Sequence, residues 1–175
     1  MTAGGDVEQN VAACRSLVLA ARDRGAALLV LPECFAFMGA HDDDTSKMAE
    51  PLDGALFDRY RALARDAGLW VCFGGFPEKI DGEHHHNAHV VVDDLGAIRA
   101  VYRKIHLFDV SLPNGSVYQE SHHTSAGDQL VVVDSPVGKL GLSVCYDLRF
   151  PELYRALAEQ GAEVLLVPAA FTLTT

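Results

Sequence analysis

The 175-residue chain has a net charge of −10, with 49% hydrophobic and 22% charged residues. This composition is typical of a globular protein with one substantial core and unlike that of disordered chains. A broadly acidic surface disfavours nucleic acid and anionic membranes as partners, because both bind clustered Lys and Arg. The longest apolar run, residues 26–31, is too short to cross a bilayer. We therefore expect a single domain over residues 1–175.

The cysteines indicate a reducing compartment rather than a disulfide framework. No two of them form a Cys-x-x-Cys pair, which disfavours a zinc knuckle or a redox motif. Residues 1–10 are polar and Gly-rich, unlike a secretory signal. We expect a cytoplasmic protein with reduced thiols. The cysteines are Cys14, Cys34, Cys72 and Cys145.

The chain opens with a predicted helix and strand. Asp6 is a plausible N-cap, apolar residues then recur at helical spacing, and Gly25 is a natural stop. The apolar run at 26–31 predicts a strand buried on both faces. Residues 36–52 are polar and predict a loop, in which the aspartates at 42–44 form a solvated charge run.

A second helix and strand follow. An amphipathic stripe over residues 56–67 predicts a helix that is closed by Gly68. Residues 69–76 predict the next strand, and its Gly74-Gly75 pair allows a bend or a close backbone approach.

The second half of the chain predicts two hairpins and one further helix–strand unit. The predicted segments are strands 87–93 and 97–104, a loop over 107–128, strands 129–134 and 139–144, helix 151–160 and strand 163–167.

Three polar side chains stand at predicted strand ends: Glu33, Lys104 and Cys145. Each has an ordinary structural interpretation alone, as a solvated carboxylate, a solvent-facing ammonium and a core thiol. Side chains at the carboxyl ends of strands gather at one sheet edge in α/β proteins, where these three would supply a base, an oxyanion-stabilising cation and a nucleophile. The helix opened by Pro151 should favour the thiolate through its N–H donors and partial positive charge.

The segments that carry these residues resemble the nitrilase, or carbon–nitrogen hydrolase, superfamily. They are Leu-Val-Leu-Pro-Glu at 29–33, Tyr-Arg-Lys-Ile-His-Leu-Phe-Asp at 102–109 and the segment at 141–153, in the same order along the chain. The resemblance runs over essentially the whole chain. It implies an α/β fold, the four-layer α-β-β-α sandwich of the nitrilase type, and hydrolysis of a small-molecule amide without a cofactor or a metal.

The resemblance also implies a role for each site residue. Cys145 would attack the amide carbon and form a thioester, with Glu33 as the base and Lys104 as the oxyanion-stabilising acid. The backbone N–H of Tyr146 would complete the oxyanion hole. Glu120 would lie near the cysteine and help to position the lysine or the substrate.

Residues 69–78 and the cysteine segment are most similar to the branch that contains deaminated glutathione amidase. This similarity implies that the substrate is deaminated glutathione or a related keto-acid amide, and the omega-amidase branch is the alternative. Arg149 is a candidate for binding a substrate carboxylate, although it could equally pair with Glu152 or Asp147. Phe171 is a second candidate substrate-binding residue.

Two histidine clusters, at 84–86 and 122–123, raise the question of a metal site. Consecutive histidines in a loop point in different directions, and no regular ligand spacing joins the clusters. We therefore expect solvent-exposed loops there, and a structural role for His106.

Members of the superfamily are longer than this chain. We expect an incomplete carbon–nitrogen hydrolase domain that lacks the first strand and the C-terminal third, and the resemblance implies a homo-oligomer. The alternative from another functional class is an inactive fragment that acts only as an interaction module, through open sheet edges.

Overall fold

The computed structural model describes residues 1–41, 43–112, 115 and 117–171. These residues form a mixed α/β fold. Its helices are α1 (Val7–Asp23), α2 (Asp44–Met48), α3 (Ala55–Ala67) and α4 (Pro151–Glu159). Its strands are β1 (Leu28–Leu31), β2 (Trp70–Lys79), β3 (His85–Val92), β4 (Ile98–Arg103), β5 (Asp109–Ser111), β6 (Val117–Gln119), β7 (Val132–Ser135), β8 (Gly138–Leu142) and β9 (Val164–Leu166).

Two sheets and one short ribbon organise these strands. The first sheet has the order β1-β2-β3-β4, in which β1 runs parallel to β2 and the other neighbours are antiparallel. The second sheet has the order β7-β8-β9, with an antiparallel and then a parallel pair. Strands β5 and β6 form the ribbon. Each parallel pair is connected through a helix, α3 or α4, as parallel neighbours require.

Helices α1 and α3 cover the outer face of the first sheet, where aromatic rings fill the core. The ring centroids lie 4.8 to 6.4 Å apart, in tilted and edge-to-face arrangements. Such arrangements add to the free energy gained from burial. The rings belong to Phe35, Phe57, Tyr60, Phe73 and Phe76.

The inner face of the first sheet packs against the second sheet. Cys72, Val91 and Tyr102 from the first sheet share an apolar cluster with Leu140 and Leu142 from the second. Helix α4 then packs on β8. The order of layers is therefore helix, sheet, sheet, helix, which confirms the predicted α-β-β-α sandwich.

Several predicted boundaries are confirmed. The Asp6 side chain accepts a hydrogen bond from the Gln9 amide, 3.1 Å away, and so caps α1. Gly68 ends α3 with a φ of 61°, in the left-handed region that favours glycine. Both predicted hairpins are present as β3–β4 and β7–β8. None of the helices in the described part of the chain has the length and hydropathy needed to span a bilayer.

Three predictions are wrong. Strand β1 is not buried on both faces, because Val30 is 37% exposed and β1 pairs only with β2 in the described sheet. The predicted loop at 36–52 contains α2, where the Asp44 carboxylate accepts two backbone N–H groups. The predicted loop at 107–128 contains β5 and β6, whose three-residue strands are too short to show a hydrophobic period. Asp42 lies outside the described residues.

Candidate active site

The structure brings the four predicted catalytic residues into one cavity of about 490 Å³. Glu33 follows β1, and Lys104 directly follows β4. Glu120 opens a 3₁₀ turn just after β6. Cys145 opens another 3₁₀ turn shortly after β8. Each reactive side chain is therefore held at the end of a strand or on a turn directly beyond one.

Lys104 lies between two carboxylates. Its Nζ is 3.2 Å from Glu33 Oε1, and it is 2.8 and 3.1 Å from the two oxygens of Glu120. The side chain is only 2% exposed. Burial opposes its charge, but the carboxylates of Glu33 and Glu120 outweigh burial and raise the pKa of Lys104 above its usual value. The side chain is therefore an ammonium.

Further donors fix both carboxylates in place. Glu33 Oε2 accepts the Ala170 amide at 3.0 Å, and Glu120 Oε2 accepts the Phe108 amide at 2.7 Å. Asn87 Nδ2 donates to Glu33 Oε1 at 2.9 Å and to Glu120 Oε1 at 3.2 Å. These hydrogen bonds fix the orientation of both glutamate carboxylates.

Cys145 sits in an uncommon backbone conformation at the cavity floor. Its φ is 49°, in the left-handed region that non-glycine residues rarely adopt, and its amide donates to Pro168 O at 2.9 Å. The residue is 8% exposed. Such a conformation at a strand-to-helix turn is how a nucleophile is presented above a sheet.

The surroundings of Cys145 as a whole favour the thiol over the thiolate. Burial and the neighbouring Glu33 carboxylate raise the pKa of the Cys145 thiol to about 12. The Ala170 amide and the Lys104 ammonium act in the opposite direction but do not outweigh them. The resting thiol is therefore protonated, and a base must remove its proton.

Acidity does not distinguish Cys145 from the other cysteines. Burial also raises the pKa values of Cys14, Cys34 and Cys72 to about 12. Cys145 differs from Cys14 and Cys72 because Glu33 and Lys104 lie beside it. Cys34 lines the same cavity, and sequence reasoning assigned it no role there.

A buried carboxylate joins the segment after β4 to the nucleophile turn. Asp147 has no exposed surface, and its Oδ2 accepts from Tyr102 OH at 2.7 Å and from the Val144 amide at 2.8 Å. Its Oδ1 accepts from the His106 amide at 3.0 Å and lies 2.7 Å from His106 Nδ1. This network fixes the lysine segment relative to the nucleophile turn. It gives His106 a structural role, as expected.

Of the residues considered for contacts with the substrate, two line the cavity and one does not. Tyr146 and Phe171 line the cavity beside Cys145. Arg149 is exposed and is not among the lining residues. Among the described residues, Arg149 forms no ion pair with Glu152 or Asp147. The structure therefore supports neither the substrate-binding role nor the loop-holding ion pair suggested for Arg149. The exposed residues that line the cavity include the apolar side chains of Met38, Val117, Tyr118 and Phe171 and the polar side chains of His41 and Gln119.

The histidines form no metal cluster within the described ranges. His85 and His86 begin β3 rather than lying in a loop, which corrects the sequence interpretation. His85 is buried, with Nδ1 2.9 Å from Ser46 Oγ and Nε2 3.3 Å from Thr124 Oγ1. Burial lowers the pKa of His85 to about 4, so the ring is neutral, and its two contacts join α2 to the segment at Thr124.

Residues 3–174 match the carbon–nitrogen hydrolase family. The deaminated glutathione amidase of Dictyostelium discoideum is 44% identical, over 100% of this chain and 63% of its own length. The human deaminated glutathione amidase is 45% identical, over 98% of this chain and 54% of its own length. The chain thus spans between about half and two thirds of these curated relatives.

Solved structures share the fold. The NitFhit protein of Caenorhabditis elegans has a TM-score of 0.90 at 38% identity, over 99% of this chain and 43% of its own. An amidase from Nesterenkonia has a TM-score of 0.82 at 31% identity, over 97% of this chain and 62% of its own. With the family match along nearly every residue and the predicted layers in place, the chain belongs to the carbon–nitrogen hydrolase family.

Proposed function

We propose that this chain hydrolyses a linear, non-peptide amide through a thioester on Cys145. One observation carries the proposal: the Cys145 thiol shares a cavity with a buried ammonium that is held by two carboxylates. A protonated thiol beside a carboxylate base is a suitable resting state for nucleophilic attack coupled to proton transfer. In the Nesterenkonia amidase, a glutamate-to-glutamine variant carries acrylamide added to the active-site cysteine, which supports a nucleophilic role for the thiol.

In the first half-reaction, Glu33 takes the thiol proton while sulfur attacks the amide carbon. The carbonyl electron pair moves to oxygen and gives a tetrahedral oxyanion. When the oxyanion collapses, the carbon–nitrogen bond breaks and the leaving amine takes the proton from Glu33. The product is a thioester on Cys145, and Glu33 is a carboxylate again.

In the second half-reaction, Glu33 takes a proton from water while the water oxygen attacks the thioester carbon. Collapse of the second oxyanion breaks the carbon–sulfur bond. The sulfur recovers a proton from Glu33, and the free acid leaves. Atoms and charges balance without a cofactor.

The oxyanion would be stabilised by Lys104 and by the backbone N–H of Tyr146. A buried ammonium is effective there because no water competes for the developing charge. The first N–H groups of a helical turn lack partners within the turn, which leaves the Tyr146 amide free to donate. Glu120 would act through Lys104, whose Nζ it holds at 2.8 Å.

The substrate proposed is deaminated glutathione or a related keto-acid amide. The support is the name shared by the Dictyostelium and human relatives. The cavity of about 490 Å³ also has room for a leaving group larger than ammonia. The expected products are a dicarboxylic keto acid and a dipeptide.

The test is product release from a small panel that contains deaminated glutathione, keto-acid amides and nitriles. We expect release of the dipeptide from deaminated glutathione by the unmodified chain, and none by Cys145→Ala. Mass spectrometry of quenched reactions should find the acyl group on Cys145. If ammonia is released from the keto-acid amides but deaminated glutathione is not cleaved, the result would favour an omega-amidase. If the chain is folded but no member of the panel acylates it, the enzyme proposal is refuted. The remaining hypothesis is then an inactive fragment that acts as an interaction module.

We also propose a cytoplasmic homo-oligomer. The four free cysteines support a reducing compartment. Exposed Leu148 and Leu165 offer apolar surface to a second copy. Sedimentation velocity should find a species larger than the 18.9 kDa protomer, whereas a monomer at all concentrations would contradict the oligomer.

A further inference from the structure

We propose that Asn87 is a positioning residue that holds Glu33 and Glu120 on either side of Lys104. This proposal deepens the proposed function and rests on it for the roles of the glutamates. Asn87 itself touches two residues of the candidate machinery, and no motif in the sequence pointed to it.

The amide and the ammonium bridge the same pair of oxygen atoms. Lys104 Nζ is 3.2 Å from Glu33 Oε1 and 3.1 Å from Glu120 Oε1. Asn87 Nδ2 donates to the same two atoms, at 2.9 and 3.2 Å. The four atoms form a closed ring in which two donors alternate with two acceptors. Asn87 therefore supplies a second bridge between the carboxylates without adding charge.

The direction of the Asn87 amide is fixed by its neighbours. A flipped amide would place Oδ1 against two carboxylate oxygens, where no proton is available. In the observed direction, Oδ1 is buried and has no hydrogen-bond partner among the described residues. An unpaired buried acceptor is costly. The two hydrogen bonds that the amide donates to the glutamates offset this cost.

The backbone around Asn87 leaves it little freedom. The Lys104 amide donates to Asn87 O at 3.0 Å, which ties the asparagine to the lysine it assists. On the other side, strand β2 has a bulge between Phe73 and Phe76 that contains Gly75. A Cβ at Gly75 would lie 2.7 Å from Asn87 Oδ1 and 3.0 Å from Glu33 Cγ. The bulge therefore provides the space in which Asn87 reaches the glutamates.

The charges around Glu33 explain why a neutral donor matters. Lys104, Glu120, Cys145 and Cys34 are the titratable groups that share its surroundings. Among these, Lys104 is the single cation for two carboxylates. Removing the Asn87 donors leaves more negative charge uncompensated beside the Cys145 thiol. Forming a thiolate there should become harder, so its deprotonation should move to higher pH.

The experiment follows alkylation of Cys145 by iodoacetamide as a function of pH, with the labelled peptide quantified by mass spectrometry. For Asn87→Asp, which replaces a donor with a charge at the same size, we expect the midpoint to rise by about one pH unit. Labelling below the midpoint would then be about tenfold slower at fixed pH. Asn87→Ala should shift the midpoint in the same direction by less. Asn87→Ser, with one hydroxyl donor, should lie between Asn87→Ala and the unmodified chain.

The matched control is Asn10→Asp. Asn10 is also buried, but its Nδ2 donates to backbone carbonyls, Gly4 O at 2.8 Å and Ala36 O at 3.0 Å. The same exchange there should cost stability and leave the labelling midpoint unchanged. If the Asn87 variants share the midpoint of the unmodified chain, the proposal is overturned.

Labelling does not require amide hydrolysis, so this test is independent of the proposed activity. A chain that hydrolyses nothing but shows the shift would refute the enzyme proposal and support the role of Asn87 in setting the charge state. In an active enzyme, the same variants should lower kcat by about 10- to 100-fold, because the catalytic groups are misplaced. KM should change little, since both Asn87 protons are bound to glutamates rather than to substrate. A rise in KM with unchanged kcat would contradict positioning.

Discussion

Replacing Glu33 with Gln should separate the reactivity of the Cys145 thiol from amide hydrolysis. Burial is the largest cause that raises the pKa of this thiol from 9.0 to about 12, and the Glu33 carboxylate is the next. Gln preserves the size of the side chain and an acceptor oxygen for Lys104, but it removes the negative charge. The pKa of Cys145 should therefore fall, although burial keeps it above that of a free thiol.

The size of the effect follows from the charge that is lost. A thiol with a pKa of about 12 is ionised in roughly one molecule in 10⁴ at pH 8, and each unit by which the pKa falls gives ten times more thiolate. A neighbouring charge shifts a pKa by about 1–3 units. Since burial is the larger cause and remains, the fall should be about 1–2 units, and alkylation at pH 8 should become about 10- to 100-fold faster in Glu33→Gln. Amide hydrolysis should become about 10²- to 10⁴-fold slower, because the general base is lost.

The assay compares iodoacetamide labelling of Cys145 with product release for the same preparations. Cys72 provides an internal control, since burial alone raises the pKa of its thiol and Glu33 is not involved. Its labelling should not change. Alkylation and hydrolysis that fall together would refute the reasoning, because Glu33 would then be needed to form any thiolate at all.

Three further changes test other parts of the site and the core. Lys104→Met should lower kcat by about 10²-fold or more in steady-state kinetics, because the oxyanion loses its cation; a smaller loss would remove Lys104 from that role. Asp147→Asn should cost about 2–4 kcal/mol in urea unfolding, since buried donors then face an amide; an unchanged midpoint would contradict the network. Burial lowers the pKa values of His85 and His89 from 6.5 to about 4. The unfolded chain therefore takes up protons first as pH falls, and the free energy of unfolding should decrease between pH 6.5 and 4, by up to ~3 kcal/mol per histidine. A flat profile would contradict neutral burial.

Sequence reasoning located the reactive groups because their positions depend on local signals. Glu33 and Lys104 end or follow strands whose hydrophobic runs are visible in the sequence, and Pro151 marks the helix after Cys145. Their order along the chain also carries the family resemblance. These signals do not depend on how the two sheets pack.

The residues that sequence reasoning missed depend on register and on distant contacts. Asn87 stands beside Lys104 only because strand β4 contains a bulge: Val92 pairs with Ile98, whereas Val91 pairs with Ala100. Without that extra residue, the hairpin would place a different side chain opposite the lysine, since a shift of one residue reverses which face each side chain takes. A bulge has no dependable signal in a single sequence.

The protonation states of the site fit one another. Two carboxylates and one ammonium already leave the resting site with a net negative charge, so an additional thiolate would be strongly disfavoured by Glu33. Transfer of the thiol proton to Glu33 keeps that net charge constant, because one carboxylate becomes neutral as the sulfur becomes negative. The negative charge then passes from sulfur to the substrate oxygen, towards Lys104. A raised thiol pKa is therefore compatible with catalysis here, because the thiolate need exist only when an electrophile is bound to accept its charge.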